Sequence, residues 1–164
     1  MGAGFEDNGI KIGRSDTVIR MARIPVQLGY LDDQGHPALH IAVYGVVEAA
    51  QQQFDAMIDT GFTGFLLIPL RSAFPLTLTL MGSAEYELAD GRLCSNLLAH
   101  GSVIVDGETV TGVITLEENH CGLLLGMDFL RKAQRALWVH EGGALLVDSG
   151  VSQTITRTIL EQLQ

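Results

Sequence analysis

The stretch FDAMIDTGFTGFLLIP, residues 54–69, places a carboxylate between two apolar runs. Asp59 ends the first run, and the second run begins after Gly64. Burying an unpaired ionised carboxylate between two strands is costly, so this placement needs a compensating role. Thr60 supplies a hydroxyl group, while Gly61 and Gly64 allow the backbone to form a tight loop.

Two interpretations of this stretch compete. It is a surface turn in the simpler one, because Asp and Gly are common turn residues. In the other it is a functional loop held at the junction of two strands. The apolar runs on both sides favour the functional loop, since a surface turn has no need of them. We therefore predict a strand–loop–strand unit that presents Asp59.

Composition limits the classes of protein to which the chain can belong. Its 164 residues predict a single domain, and 47% hydrophobic residues are typical of a globular chain. A net charge of -9 argues against a nucleic-acid partner, because such proteins carry basic clusters. No apolar run is long enough for a transmembrane helix, so we expect no membrane partner.

The cysteines and histidines give no sign of a cofactor. Cys94 and Cys121 are too few for a disulfide framework, and no Cys or His spacing typical of a metal site occurs. We therefore expect no metal and no cofactor. The first residues lack the apolar core of a secretory signal, so the sequence predicts a cytoplasmic location.

Alternating apolar and polar residues predict many short strands. Strands are expected over residues 24–30, 39–43 and 76–80, and around Asp-Gly turns at residues 90–91 and 106–107. A buried strand is expected over residues 123–125, a two-turn helix over residues 127–135 and a last hairpin over residues 137–147, while a helical turn is expected at residues 70–74. The pattern predicts an all-β, barrel-like domain with one short helix.

The predicted domain boundaries follow from the ends of this pattern. Residues 1–22 lack clear periodicity and are expected to be a flexible leader, a tag or a pro-segment. The β domain is expected over residues 23–150. Residues 151–164 are expected to be a C-terminal tail or a short helix.

Three segments in the right order resemble the retropepsin-like aspartic proteases, in particular their prokaryotic single-lobe branch. Residues 57–61 are similar to that family's active-site motif of two apolar residues followed by Asp-Thr-Gly. Residues 88–91 resemble the hairpin that often forms its flap. Residues 124–130 are similar to its apolar-apolar-Gly strand and the helix that follows. The resemblance covers residues 23–148.

The resemblance implies a closed β-barrel and an aspartic endopeptidase. It implies that Asp59 is the catalytic residue, within an active-site loop that includes Thr60, Gly61 and Thr63. A possible flap would include Ala89, Asp90 and Gly91, and a structural motif would include Gly126 and Asp128. Peptide hydrolysis by this route needs two carboxylates that share a proton. A symmetric homodimer that contributes one Asp59 from each chain, with a peptide or protein as substrate, meets this requirement.

A second aspartate within the same chain is the alternative to a dimer. Asp148-Ser149-Gly150 resembles the second motif of a two-lobe protease, but only 14 residues follow Gly150. These are too few for a second lobe, so we interpret this segment as a turn.

One departure from the family pattern keeps a second function open. The residue after Asp-Thr-Gly is usually Ala or Ser in this family, and here it is Phe62. Phe62 favours a non-proteolytic dimerisation or binding module with the same fold, since fold alone does not fix function. A monomeric β-barrel that binds a ligand is a third possibility, with no sequence signal for its pocket.

Overall fold

The computed structural model describes residues 10–11, 18–19, 26–87, 93–118 and 122–162. The strands are β1 (Ile10–Lys11), β2 (Val18–Ile19), β3 (Val26–Leu28), β4 (Tyr30–Leu31), β5 (Pro37–Tyr44), β6 (Gln52–Ile58), β7 (Leu66–Pro69), β8 (Thr79–Glu87), β9 (Leu93–Val105), β10 (Glu108–Glu117), β11 (Leu123–Leu125), β12 (Arg135–His140) and β13 (Gly143–Asp148). The helices are α1 (Leu70–Ala73), α2 (Met127–Lys132) and α3 (Ser149–Gln162), with 3₁₀ turns at Glu48–Ala50 and Phe74–Leu76.

Within these ranges, six strands close into a barrel in the order β5-β6-β11-β7-β10-β9. Pairing of β9 with β5, in which Val103 lies opposite Val43, completes the circle. β4 extends the sheet beyond β5, and β8 extends it beyond β9. The predicted all-β barrel with a short helix near its C-terminal third is confirmed.

Strand burial follows from the apolar patterns. All of β7 and β11 is buried, which suits continuous apolar runs inside a closed sheet. β10 alternates buried and partly exposed residues over its second half, as a half-buried strand does. Fully buried large side chains fill the barrel: Phe65, Phe129, Leu39, Ile41, Leu66, Ile68, Leu76, Ile114 and Leu125.

The strand predicted over residues 24–30 is wrong in one respect. It is broken at Gly29, where β3 joins β13 in a sheet with β12, and β4 pairs with β5 instead. A Cβ atom on Gly29 would lie 2.7 Å from the carbonyl oxygen of Ala38. Only glycine allows this close approach, and Gly29 is the residue between the two strands that pair with different sheets.

The hairpin predicted around residues 106–107 is confirmed, with a two-residue turn between Val105 and Glu108. Asp106 and Gly107 both have positive φ angles, 49° and 77°, as a type I′ turn requires. The strand predicted over residues 76–80 is wrong at its start. A 3₁₀ turn ends at Leu76, whose carbonyl accepts a bond from the Gly45 N–H, and β8 begins only at Thr79.

Two terminal segments complete the fold. In the expected leader, β1 and β2 form an antiparallel pair, with Ile10 opposite Ile19. At the other end, α3 is a helix of 14 residues whose Ile155 is buried. The proposed domain boundaries themselves stay a prediction. None of the helices in the described ranges is long and apolar enough to cross a membrane.

Candidate active site

Asp59 lies where three strands of the barrel meet. It directly follows β6, and β11 fills the space between β6 and β7 through a parallel pairing on one side and an antiparallel pairing on the other. The Asp59 N–H donates to the carbonyl oxygen of Leu125 at 2.9 Å. The backbone of Asp59 is therefore held in place by the barrel, while Asp59 itself remains partly exposed.

The loop after Asp59 fixes the orientation of its carboxylate. The Gly61 N–H donates to Asp59 Oδ1 at 2.8 Å, and the Phe62 N–H donates to the Asp59 carbonyl at 3.2 Å. A hydrogen bond from a backbone amide to an ionised carboxylate is stronger than one between neutral groups. Thr60, Gly61 and Thr63 are exposed on this loop. The predicted catalytic residue and the predicted loop residues are thus brought together.

The start of α2 closes the loop from the other side. The N–H groups of Gly126, Met127 and Asp128 donate to the carbonyls of Phe65, Phe62 and Gly64 at 3.1, 2.8 and 3.1 Å. The first N–H groups of a helix have no partners within it, and here the loop supplies them. The Asp59 loop and the Gly126 segment, which both resemble motifs of one protease family, are therefore joined by backbone hydrogen bonds.

Phe62 is packed against the glycines of both motifs. A Cβ atom on Gly64 would lie 2.3 Å from the Phe62 ring, and one on Gly126 would lie 2.4 Å from the Phe62 carbonyl oxygen and 2.6 Å from its ring. The aromatic side chain that departs from the family pattern thus covers the junction of loop and helix. Sequence reasoning missed this role, although glycines at both contact positions were a signal for it.

Asp128 lies in the first turn of α2, where its carboxylate is 18% exposed. It pairs with two cations of its own helix, Arg131 at 2.5 Å and Lys132 at 3.7 Å. A carboxylate at a helix N-terminus and cations at its C-terminus both complement the helix dipole. This arrangement gives the Asp128 side chain a role in fixing α2.

The segment Asp148-Ser149-Gly150 is not the turn that the sequence predicted. Asp148 Oδ1 accepts hydrogen bonds from the N–H groups of Gly150 and Val151, at 2.9 and 3.1 Å. It therefore caps α3, which begins at Ser149. An Asp that accepts hydrogen bonds from the N–H groups two and three residues later stabilises a helix start as well as a turn, so the Asp-Ser-Gly sequence is compatible with both.

The predicted flap residues Ala89, Asp90 and Gly91 lie outside the described residues. The strands on either side are described, and β8 pairs with β9 up to Glu87 opposite Leu93. Among the described residues, no group of three His, Cys, Asp or Glu side chains is arranged to hold a metal ion.

A polar cluster that the sequence did not indicate lies beside β6. The Tyr30 ring stacks on the His40 ring with centroids 4.7 Å apart, and His40 Nδ1 makes a short hydrogen bond with Asp55 Oδ1. Burial, followed by a hydrogen bond to Asp55, raises the pKa of Tyr30 to about 12. The phenol therefore stays protonated and donates to the Asp55 carboxylate. Alternation along β6, which puts Asp55 on the outward face of the strand together with Met57, was a signal for this cluster.

Comparison with known proteins supports the fold assignment. No protein-family model matches the sequence, and a comparison with curated proteins finds no significant match. Among solved structures, the chain is similar to a retropepsin-like aspartic protease from Rickettsia conorii, with a TM-score of 0.53 and 15% identity. That match covers 76% of this chain and 92% of the other.

A second match is EIAV protease in complex with the inhibitor HBY-793. Its TM-score is 0.52 at 11% identity, over 66% of this chain and 97% of the other. Identities this low leave the architecture as the common feature. The chain therefore has the fold of the retropepsin-like aspartic proteases.

Proposed function

We propose that the chain is an aspartic endopeptidase in which two Asp59 carboxylates, one from each protomer of a symmetric homodimer, activate a water molecule. The observation that carries this proposal is the placement of Asp59. Its backbone is bonded to Leu125 in the barrel, and its carboxylate is oriented by Gly61 on a partly exposed loop. The similarity to two proteases supports the assignment.

The reaction follows from two carboxylates held close together. Two carboxyl groups at short distance do not both ionise, because their negative charges repel, so the pair of Asp59 side chains retains one proton. The ionised Asp59 takes a proton from water as the water oxygen attacks the peptide carbonyl carbon. The protonated Asp59 donates to the carbonyl oxygen and stabilises the charge that develops there. The C–N bond then breaks, and the amine leaves with a proton from the pair.

A dimer supplies the second carboxylate, because the aspartate of the segment Asp148-Ser149-Gly150 caps a helix. Asp148 caps α3 through two backbone N–H groups, as described above. Thr60, next to Asp59, is exposed and available for contact with a second copy across a two-fold axis.

The alternative is a dimerisation or binding module without proteolytic activity. Phe62 is the observation that favours it, because its ring packs on Gly64 and no hydroxyl group stands directly after Asp-Thr-Gly to bond the carboxylate. The two functions differ in what neutralising Asp59 does to the protein.

Asp59→Asn separates the two functions. In the proposed enzyme it abolishes hydrolysis, because an amide neither accepts a proton from water nor shares one. It leaves thermal stability equal or higher, because it removes the repulsion between two carboxylates without a change in size. The measurements are cleavage of a mixed peptide library between about pH 4 and about pH 7, and thermal unfolding at neutral pH.

Asp148→Asn is the matched control, because it makes the same substitution at an aspartate whose Oδ1 also accepts from the glycine N–H two residues later. It is expected to retain cleavage, and Asn is also a good helix cap. If neither the wild type nor the control cleaves any peptide, and Asp59→Asn lowers the unfolding temperature, then Asp59 is a structural residue and the binding module is the correct function.

A further inference from the structure

A cavity of about 470 Å³ opens beside β6, and its lining reaches Met57, two residues before Asp59. Its walls come from the β4–β5 turn, from β6 and from the start of β11. The residues that line it are Tyr30, Asp32, Asp33, Gln34, His36, Ala38, Asp55, Met57, Gly122, Leu123 and Leu124. We refer to this space as the acidic cavity. Its volume is in the range typical of ligand pockets.

The acidic cavity adjoins the candidate active site through β6. Side chains alternate along a strand, and Ala56 and Ile58 are buried in the barrel. Asp55 and Met57 therefore share the opposite face of β6, and Asp59 follows Met57 by two residues, about 7 Å further along the chain. A chain that lies across Asp59 has this cavity beside it.

The lining combines an apolar floor with an acidic rim. Leu123, Leu124 and Ala38 are buried, and Met57 is partly buried. Among the described residues of the lining, three carboxylates stand above this floor and no Lys or Arg occurs.

The three carboxylates at the rim are those of Asp32, Asp33 and Asp55. Their charges are only partly offset. His36 Nδ1 lies 3.2 Å from Asp32, and His40 bonds Asp55 from outside the lining. Asp33 is exposed on the turn. The rim is therefore negative at neutral pH.

The geometry points to a lysine or arginine side chain of the peptide substrate as the occupant of the acidic cavity. These side chains carry a charged head on an apolar stem, so the stem packs on the floor and the head reaches the carboxylates. Asp33 and Asp55 are the residues that select it. A substrate glutamate is repelled from the same place. This inference rests on the proposed function, whose active site it extends.

The first test compares cleavage of peptides that differ at one position. A cleaved sequence is made with Lys, with norleucine and with Glu at each position around the broken bond. We expect kcat/KM at one position to favour Lys over norleucine by about tenfold, and Glu to be the poorest, as ionic hydrogen bonds predict. The preference should fall with added salt, because the rim is exposed to solvent.

Two variants test which carboxylates select the charge. Asp33 lies on an exposed turn, and Asp33→Asn should lower the ratio of kcat/KM for the Lys peptide to that for the norleucine peptide by about threefold. Asp55→Asn should have a similar effect. Asp106→Asn is the matched control, because it removes the same charge at a turn outside the cavity, where Asn tolerates the positive φ angle. An equal loss in the control would overturn the assignment of Asp33.

A binding measurement distinguishes failure of the inference from failure of the proposed function. Fluorescent Lys, norleucine and Glu peptides of one sequence are titrated onto Asp59→Asn, with and without Asp33→Asn. Tighter binding of the Lys peptide, reduced by Asp33→Asn, supports the inference even if the wild type cleaves nothing. Cleavage or binding that is indifferent to charge at every position overturns the inference and leaves the protease proposal intact. Absence of binding by all three peptides also overturns it.

Discussion

Two segments of this molecule share a sequence pattern and differ in what they build. Asp59-Thr60-Gly61 and Asp148-Ser149-Gly150 both place an Asp Oδ1 within hydrogen-bond distance of the glycine N–H two residues later, at 2.8 and 2.9 Å. The local bond is therefore the same. At Asp59 the chain continues into a loop that is bonded to α2, whereas at Asp148 it continues directly into α3.

The difference lies in what surrounds each tripeptide. Asp59 ends a strand inside a closed barrel, and its N–H is bonded to the neighbouring strand at Leu125. Asp148 ends β13 in the three-stranded sheet β12-β13-β3, which we call the second sheet. Its carboxylate accepts one more hydrogen bond, from the Val151 N–H. The tripeptide thus specifies a local turn of the backbone, and its environment decides between a loop at the end of a barrel strand and a helix cap.

The largest effect on stability is expected where the Asp59 loop meets α2. A Cβ atom on Gly126 would lie 2.3 Å from the Gly64 carbonyl oxygen and 2.4 Å from that of Phe62, and backbone atoms cannot move aside as a side chain end does. Gly126→Ala should therefore lower the free energy of unfolding by about 3 kcal/mol or more. Urea denaturation measures it.

Gly150→Ala is the comparison for this substitution. Its Cβ atom would lie 3.2 Å from the movable Asp148 carboxylate, and Ala favours a helix over Gly. The expected change is less than about 1 kcal/mol. Equal losses in both variants would mean that the Asp59 loop is no more tightly packed than the start of α3.

The hydroxyl that follows each aspartate gives the next contrast. Thr60 is exposed, whereas Ser149 is partly buried at the start of α3. If Thr60 bonds a second copy of the chain, Thr60→Val leaves a buried polar group without its partner, which costs about 1–3 kcal/mol of dimer stability. The dimer dissociation constant should rise while the monomer keeps its fold.

Sedimentation equilibrium and circular dichroism measure these two quantities. Thr109→Val makes the same substitution at an exposed position of β10 and is expected to leave the dissociation constant unchanged. A wild-type protein that remains a monomer while it cleaves peptides would contradict the symmetric dimer.

A smaller effect is expected from removal of the α3 cap. Asp148→Ala leaves the N–H groups of Gly150 and Val151 without their acceptor, which costs about 1 kcal/mol. Asp148→Asn should recover most of this stability. Helix content and urea denaturation are the measurements, and peptide cleavage should not change. Loss of cleavage in Asp148→Asn would show that the two aspartates are not as different as their surroundings indicate.

Local sequence patterns predicted the features that depend on local forces. Alternation located most strands, and Asp106-Gly107 located a tight turn, because both depend on residues close in the chain. The Asp59 loop was found because a carboxylate between two apolar runs is unusual, whereas the role of the Gly126 motif was expected only from the resemblance. Closure of the barrel through β5 and β9 was expected only from the resemblance, since no local pattern encodes a pairing between distant strands.

What the sequence left open depends on tertiary contacts. The segment after Asp148 is rich in Thr, which favours helices weakly. In the structure, buried Ile155 and a bond from Trp138 Nε1 to Ser152 Oγ at 3.2 Å hold α3 against the second sheet. The acidic cavity was missed for a similar reason, because residues from three separate segments line it. Packing of Phe62 on Gly126 joins positions 64 residues apart in the same way.

A third aspartate extends the comparison to pH. Asp32 Oδ1 accepts the N–H groups of Gln34 and His36 at 2.9 and 2.8 Å on the β4–β5 turn. These hydrogen bonds lower the pKa of Asp32 below its ordinary value of 3.8. The backbone bond from His36 has the largest lowering effect, and the backbone bond from Gln34 and the side-chain bond from His36 add to it. A carboxyl group with a lowered folded-state pKa stabilises the fold above its unfolded-state pKa. That contribution is lost as the pH falls through the folded-state value.

Asp32→Asn should therefore reduce stability at about pH 5 and have less effect at about pH 3, where the wild type has begun to lose the same contribution. Urea denaturation of both proteins at the two pH values measures the difference. Asp33→Asn is the control, because it removes a neighbouring charge from the same turn. A lowered folded-state pKa of Asp32 requires the difference in free energy of unfolding between wild type and Asp32→Asn to narrow toward acid pH. A difference that stays constant or widens would contradict the lowered pKa. If the free energy of unfolding of Asp33→Asn differs from that of the wild type in the same pH-dependent way, the net charge of the turn, and not the Asp32 hydrogen bonds, sets the pH dependence.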